Sequence, residues 1–174
     1  DAFPATQGTR MWMQAAALDL DGLHGTDLLL ASKGPDATVG WLQAPKEPQD
    51  LAAWSFHPLR EAGWIMSLLP QDMDGDGDAD VVFSDRRGGR AGAFWLENPG
   101  ARVVRNHGAW KEHAIGAPGR EVMFADLGDL NGDGLPDLAV AVKPHDVFLC
   151  LRQQNGGWRE QVLQLNPTHL GKAK

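Results

Sequence analysis

Residues 70–85 read PQDMDGDGDADVVFSD, which places aspartate at every second position from Asp72 to Asp80 and then turns at once into an apolar run. Carboxylates this close together repel one another, and without a cation some of them would take up protons well above their ordinary pKa. The run that follows, Val81 to Phe83, is β-branched and aromatic, as is typical of a strand. The stretch therefore predicts an acidic, cation-binding loop that leads directly into a strand.

The same pattern occurs three times along the chain. The segments DLDGLHGTD (19–27), DMDGDGDAD (72–80) and DLNGDGLPD (129–137) are equal in length, and each begins and ends with aspartate. They start 53 and 57 residues apart, and each is followed by a short apolar run. A period of this length is the mark of a repeat architecture, and it decides the fold before any single element is assigned.

Other landmarks recur in the same phase. A Trp-bearing apolar strand closed by a Pro turn follows the first two loops, as VGWLQAP (39–45) and AFWLENP (93–99), and the third unit has VFLCLRQQNGG in that place. A second tryptophan then opens WSFHPL, WKEHAI and WREQVL, and a methionine stands six residues before each loop. Each unit thus contains four short strands, and no window shows a helical apolar stripe. The recurring tryptophans indicate packing between units.

Four-stranded units with a period of about 50 residues are typical of β-propeller blades. The sequence therefore predicts an all-β fold, a single β-propeller domain over 1–174 with about three four-stranded blades at 8–60, 61–116 and 117–165. Residues 166–174 are predicted to enter a further blade. Because propellers typically have four to eight blades, two explanations stay open: further blades of a longer chain, or self-association in which a second chain completes the ring.

The acidic loops have the ligand spacing that calcium needs, with carboxylates at positions 1, 3, 5 and 9 and a carbonyl at position 7. Oxygen-only ligands favour calcium over zinc or copper. The predicted ligands of the second loop are Asp72, Asp74, Asp76, Asp80 and the carbonyl of Asp78, and those of the third are Asp129, Asn131, Asp133, Asp137 and the carbonyl of Leu135. The first loop keeps Asp19, Asp21 and Asp27 but has Leu23 and His24 at the third ligand and the turn glycine, so any calcium there should bind weakly.

An EF-hand opens in the same way but needs a glutamate at position 12 and a helix on either side. Position 12 is Phe83 in the second loop and Val140 in the third, both within strand-like runs. An EF-hand is therefore excluded. The other structural explanation is that these residues form Asx-turns between strands without any metal.

The stretches DMDGDGDADVV and DLNGDGLPDLAV resemble the calcium loops of FG-GAP or VCBS-type repeats. The Phe-Gly and Gly-Ala-Pro elements are not at their expected places, which favours the VCBS-like branch. The resemblance implies a β-propeller in which the loop joins the first two strands of a blade, and an extracellular or periplasmic location.

Composition narrows the range of partners. A formal net charge of −7 without a basic run argues against nucleic acid, and no apolar stretch is long enough to span a membrane. The single cysteine, Cys150, lies in an apolar run and is predicted to be a buried small hydrophobic residue. No catalytic constellation is recognised, so no catalytic residue is predicted.

The function predicted from the sequence is a non-catalytic, calcium-binding propeller module for a glycan or a protein ligand. The alternative is the propeller part of a secreted carbohydrate-active enzyme, such as a lyase or dehydratase. A basic residue recurs at the predicted entry of a first strand, one or two positions after a glycine. These residues are Arg10, Arg120 and Lys172. They predict a partial basic ring at the channel mouth that would suit an anionic ligand.

Overall fold

In the computed structural model, which describes residues 3–8 and 10–164, twelve strands form three antiparallel sheets of four strands each. Sheet one holds β1 to β4, at Met11–Leu18, Asp27–Lys33, Thr38–Gln43 and Ser55–Glu61. Sheet two holds β5 to β8, at Ile65–Gln71, Asp80–Asp85, Gly92–Glu97 and Lys111–Gly116. Sheet three holds β9 to β12, at Val122–Gly128, Asp137–Val142, Asp146–Arg152 and Trp158–Gln164. The predicted entry to a further blade at 166–174 lies outside the described residues.

Helix is nearly absent from the described residues. A 3-10 turn covers Pro4–Thr6, and one short helix, α1, covers Ala101–Arg105 between β7 and β8. No helical apolar pattern in the sequence predicts α1. Within the described part of the chain, no helix has the length and apolar character needed to cross a membrane.

Strands within each sheet follow one another in chain order, so the antiparallel partners are also sequence neighbours. The first strands of neighbouring sheets lie side by side, with β1 against β5 and β5 against β9. The second strand of sheet two is covered on both faces, and all six residues of β6 are buried. Continuous apolar runs such as VVF are suited to this position, because neither face of the strand meets water. The predicted all-β architecture of four-stranded blades is thus confirmed as a partial β-propeller.

Two apolar clusters join the sheets. One lies between sheets one and two and contains Trp41, and the other lies between sheets two and three and contains Trp95. These tryptophans stand at equivalent positions of β3 and β7, so the prediction that they pack between blades is confirmed for both. Cys150 is a buried free thiol in the second cluster, and burial raises its pKa to about 12.

Hydrogen bonds also connect the first strands of neighbouring sheets. The side chain of Gln14 donates to the carbonyl oxygen of Met66 (3.1 Å), and the hydroxyl of Ser67 accepts from the amide of Ala125 (2.8 Å). Gln14 and Ser67 hold the same position in their sheets, five residues before the acidic loop. Phe124 holds that position in sheet three, where its side chain is 60% exposed.

A buried ion pair fixes the register of sheet one on sheet two. The guanidinium of Arg60 in β4 lies 2.5 Å from Asp85 and 2.8 Å from Glu112, and its side chain is only 3% exposed. Burial acts to raise the pKa of Glu112, but the hydrogen bonds and the positive charges of Arg90 and Arg60 together lower it. Such pairs contribute little net stability, since both charges lose water, but each requires one particular partner.

A buried aspartate braces one end of every sheet. The last residue of each acidic loop accepts the amide of the second loop residue through one oxygen and, through the other, an amide at or just after the end of the third strand. These aspartates are Asp27, Asp80 and Asp137, with oxygen–nitrogen distances of 2.7 to 2.9 Å. One carboxylate therefore ties together the loop, the start of the second strand and the end of the third.

Asp137→Asn should destabilise the protein by about 1–3 kcal/mol, because an amide NH2 would replace one of two buried acceptors and face a backbone N–H. The free energy of unfolding, measured by urea denaturation, tests this expectation. Asp133→Asn is the matched control, since Asp133 is exposed in the same loop. Equal losses for the two variants would contradict the proposed brace.

Gly63→Ala should cost about 1–3 kcal/mol, since a Cβ at Gly63 would lie 2.0 Å from the carbonyl oxygen of Arg87. The connection between sheets one and two would have to move to accept the methyl group. Gly89→Ala in the neighbouring turn is the control, because a Cβ there meets no atom within 4 Å. Thermal melting of both variants decides the point, and an unchanged melting temperature for Gly63→Ala would refute this account.

Candidate metal centre

The three acidic loops follow one backbone path. Their fourth residues have positive φ and are Gly22, Gly75 and Gly132. Their sixth residues also have positive φ, 61° at His24, 96° at Gly77 and 82° at Gly134. His24 thus adopts the left-handed conformation that favours glycine. The replacement of the turn glycine in the first loop has not changed the course of the chain.

The first aspartate of each loop organises the turn. In the second loop, the carboxylate of Asp72 accepts the amides of Gly75 (2.7 Å) and Gly77 (3.1 Å). Asp129 makes the two equivalent bonds at 2.7 and 2.9 Å, and Asp19 keeps the first of them at 2.7 Å. In the third loop these donors lower the pKa of Asp129, and the amide of Gly134 is the largest cause. The turn therefore holds a negative charge at its centre.

Two loops bring three carboxylates together. Oxygens of Asp72, Asp74 and Asp80 lie within 4.8 Å of one another in the second loop, and those of Asp19, Asp21 and Asp27 do so in the first. This separation suits a cation with several oxygen ligands. In the third loop, an amide residue, Asn131, takes the place of Asp21 and Asp74, and the described residues form no such three-carboxylate group there.

Other predicted ligands lie outside these groups. The carboxylate of Asp76 accepts the amide of Asp78 (2.9 Å), and that of Asp133 accepts the amide of Leu135 (2.9 Å). Asn131 donates to the second oxygen of Asp133 at 3.0 Å. Asp76 and Asp133 are exposed. Their assignment as ligands, like that of the carbonyls of Asp78 and Leu135, stays a prediction.

The first loop is the most enclosed of the three. Asp21 and Asp27 are both fully buried, and the side chain of Gln43 donates to Asp21 at 2.5 Å. Leu20 shares an apolar cluster with Val104 of α1, which belongs to the neighbouring sheet. The loop that has lost two sequence features of a calcium site has thus become part of the contact between sheets one and two.

Burial raises the pKa of the last aspartate in the first and second loops. The pKa of Asp80 is raised to about 6, chiefly because burial removes its carboxylate from water, and the charges of Asp74 and Asp76 add to this effect. The pKa of Asp27 is raised for the same main reason. The two backbone amides that donate to each carboxylate oppose the shift. A cation in the loop would act in the same direction as these amides.

The predicted basic ring is only partly described. Arg10 donates through Nε to the carbonyl oxygen of Asp36 (3.0 Å), and its guanidinium lies 5.5 Å from the ring centre of Phe56. The guanidinium of Arg120 lies 5.9 Å from the ring centre of Phe148. Both arginines therefore contact an aromatic ring of their own sheet. Lys172 lies outside the described residues.

Two histidine pairs were missed because their partners lie on a different strand. His113 on β8 lies 2.6 Å from Glu97 on β7, and this hydrogen bond is the largest cause of the lowered pKa of Glu97. His57 on β4 makes the equivalent contact with Gln43 at 3.2 Å. Gln43 and Glu97 each stand two residues after the repeated tryptophan, and this shared phase was the available signal.

Two family models match the part of the chain that holds the second and third acidic loops. Residues 72–140 match the model of an FG-GAP-like repeat, and residues 124–157 match that of an FG-GAP repeat. A comparison with curated proteins found no match. The VCBS-type assignment is not among these matches and stays a prediction. Residues 72–157 therefore contain FG-GAP repeats, and the three sheets are blades of a partial β-propeller.

Proposed function

We propose that the chain is a calcium-stabilised interaction module that binds a glycan or a protein and carries out no catalysis itself. The observation that carries this proposal is the recurrence of one oxygen-lined loop at the same end of every blade, with three carboxylates gathered in two of the loops. FG-GAP repeats are consistent with such a module.

Calcium would have a structural role in this module. When bound, it would neutralise carboxylates that otherwise repel one another across less than 4.8 Å. Asp72, Asp74 and Asp80 would hold it in the second loop, and Asp19, Asp21 and Asp27 would hold it in the first. Because Asp80 also braces β6 and β7 through its backbone hydrogen bonds, an ion at this carboxylate would strengthen the connection that shapes the blade.

An extracellular or periplasmic location fits loops of this kind. Their ligands are mostly exposed at the first and third positions, so the affinity for calcium should be modest. Such sites fill where calcium is abundant. The partner proposed here is accordingly a glycan or a protein met outside the cytoplasm.

The enzyme alternative would draw on the partly exposed pair of Glu97 and His113, which has the geometry of an acid–base pair. Two features argue for a structural role instead. The ring of His113 stacks on Trp95 at 4.2 Å, and the equivalent pair in sheet one, Gln43 and His57, has no carboxylate. Because the histidine contact recurs in sheet one without a carboxylate, it supports a packing role for the histidine rather than a catalytic one.

Calcium should raise the melting temperature of the protein, and a chelator should lower it, because the ion binds the folded loops and not the unfolded chain. At a hundred times the dissociation constant, one site would add about 2.7 kcal/mol to the free energy of unfolding. Thermal melting across a calcium titration measures this effect. A melting temperature that is the same with calcium and with chelator would refute the proposed metal role.

Substitutions in the loops should change the calcium effect in opposite directions. Asp74→Asn should reduce the calcium-induced shift, since it removes one of three gathered carboxylates, whereas Asn131→Asp should increase it by adding the carboxylate that the third loop lacks. Asp126→Asn is the control, because Asp126 is an exposed carboxylate outside the three loops. If all three variants show the wild-type shift, the loops are not the binding sites.

A further inference from the structure

Charge is separated along the strands of this molecule. The three acidic loops contain eleven aspartates and no lysine or arginine. Because the strands alternate in direction, the β2–β3, β6–β7 and β10–β11 turns and the connections between sheets lie at the opposite end. We name the cations at that end the basic rim: Arg10, Lys33, Arg86, Arg87, Arg90, Arg120 and Lys143. Among the described residues, the same end holds five carboxylates, Asp36, Glu61, Asp85, Glu121 and Asp146, and Asp85 is buried in the ion pair with Arg60.

One cation of the rim recurs in every sheet. It stands six residues after the last aspartate of each acidic loop, at Lys33, Arg86 and Lys143. Glu121 neutralises part of this charge, since it pairs with Arg86 and lies 3.5 Å from the ammonium of Lys143. In the sequence these three cations are spaced by 53 and 57 residues. Folding collects them at one end.

The cations are densest around Trp64. The ammonium of Lys33 lies 4.5 Å from the centre of its ring, and the guanidiniums of Arg86 and Arg87 lie at 4.7 and 4.8 Å. Among the described residues, Lys33 and Arg87 form no salt bridge. Three like charges at one ring attract an anion more strongly than any one of them would alone. The indole Nε1 of Trp64 is also buried and has no acceptor among the described residues.

A cleft lies beside this cluster. It has a volume of about 190 Å³, and its walls carry two arginines, Arg87 and Arg90, and two carboxylates, Glu61 and Asp85. Asp85 is already neutralised by its buried ion pair with Arg60. Gly63, Gly88 and Gly89 form the rest of the wall with Ala62. Arg90 also pairs with Glu112, so Arg87 is the cation of the cleft without a carboxylate partner in the described residues. Glycines on the wall leave the backbone open to a ligand.

We propose that the basic rim binds an anionic polysaccharide, a glycan whose carboxylate or sulfate groups repeat along its length. A ligand with repeating charges matches a surface on which one cation recurs per sheet. The ring of Trp64 is surrounded by cations, so it does not offer the open face on which a nucleic-acid base would stack. This inference rests on the proposed function as an interaction module and specifies the class of its partner.

Binding of three oligosaccharides of equal length to the full chain, measured by calorimetry in calcium buffer, tests the inference. A polyuronate, a sulfated glycan and a neutral glucan serve as probes. At least one anionic probe should bind, with an affinity that falls as salt is added, and the neutral glucan should not bind. The double variant Lys33→Gln, Arg87→Gln should weaken binding by about five-fold or more.

Two further variants separate charge from folding. Lys33→Arg with Arg87→Lys keeps both charges and should keep binding within about two-fold. Arg102→Gln with Arg105→Gln removes the same charge from the exposed face of α1, at the acidic end, and should leave the affinity unchanged. Thermal melting of each sample shows whether the variant is folded.

The inference is overturned if neither anionic glycan binds, or if the two charge-removing variants weaken binding equally. It is also overturned if a poly-glutamate peptide or single-stranded DNA of equal charge binds more tightly, because the partner is then another class of molecule. The calcium-induced melting shift of the same samples is a separate readout. A normal shift without glycan binding would count against this inference alone and leave the calcium role intact.

Discussion

The carboxylate at the end of each acidic loop is the constraint on which the blade depends. Asp27, Asp80 and Asp137 are buried, and each accepts two backbone amides from parts of the chain that are otherwise separate. A buried carboxylate is costly unless its oxygens are fully hydrogen-bonded. The chain meets that condition only when the loop, the second strand and the third strand are all in place, so one residue makes the local fold cooperative.

This brace also explains why the remaining loop residues can vary. The first loop has lost its third carboxylate and its turn glycine, yet it follows the same path as the other two. The first, third and last residues of every loop accept backbone amides and so help to define that path. Other positions serve a different purpose, such as the contact that Leu20 of the first loop makes with the apolar cluster of Val104.

The sequence predicted the repeated strands and loops, and it missed contacts whose two partners lie on different strands, such as the histidine pairs. The period of the acidic loops predicted four-stranded blades, and the shared phase of Trp41 and Trp95 predicted their packing. The Arg60–Asp85 ion pair joins residues from different sheets, and neither residue has an equivalent that would reveal the pairing. The loop ligands were predicted as metal sites from their spacing, but the spacing did not show that the last aspartate already has two backbone donors.

The position of sheet two between its neighbours has a consequence for the order of unfolding. Sheet two packs against both other sheets through separate apolar clusters, whereas each of those sheets packs chiefly against sheet two. In stacked repeat structures, stability is close to a sum of nearest-neighbour interfaces. Amide hydrogens of the fully buried strand β6 should therefore exchange last with solvent, and opening should begin at an outer blade and move inward.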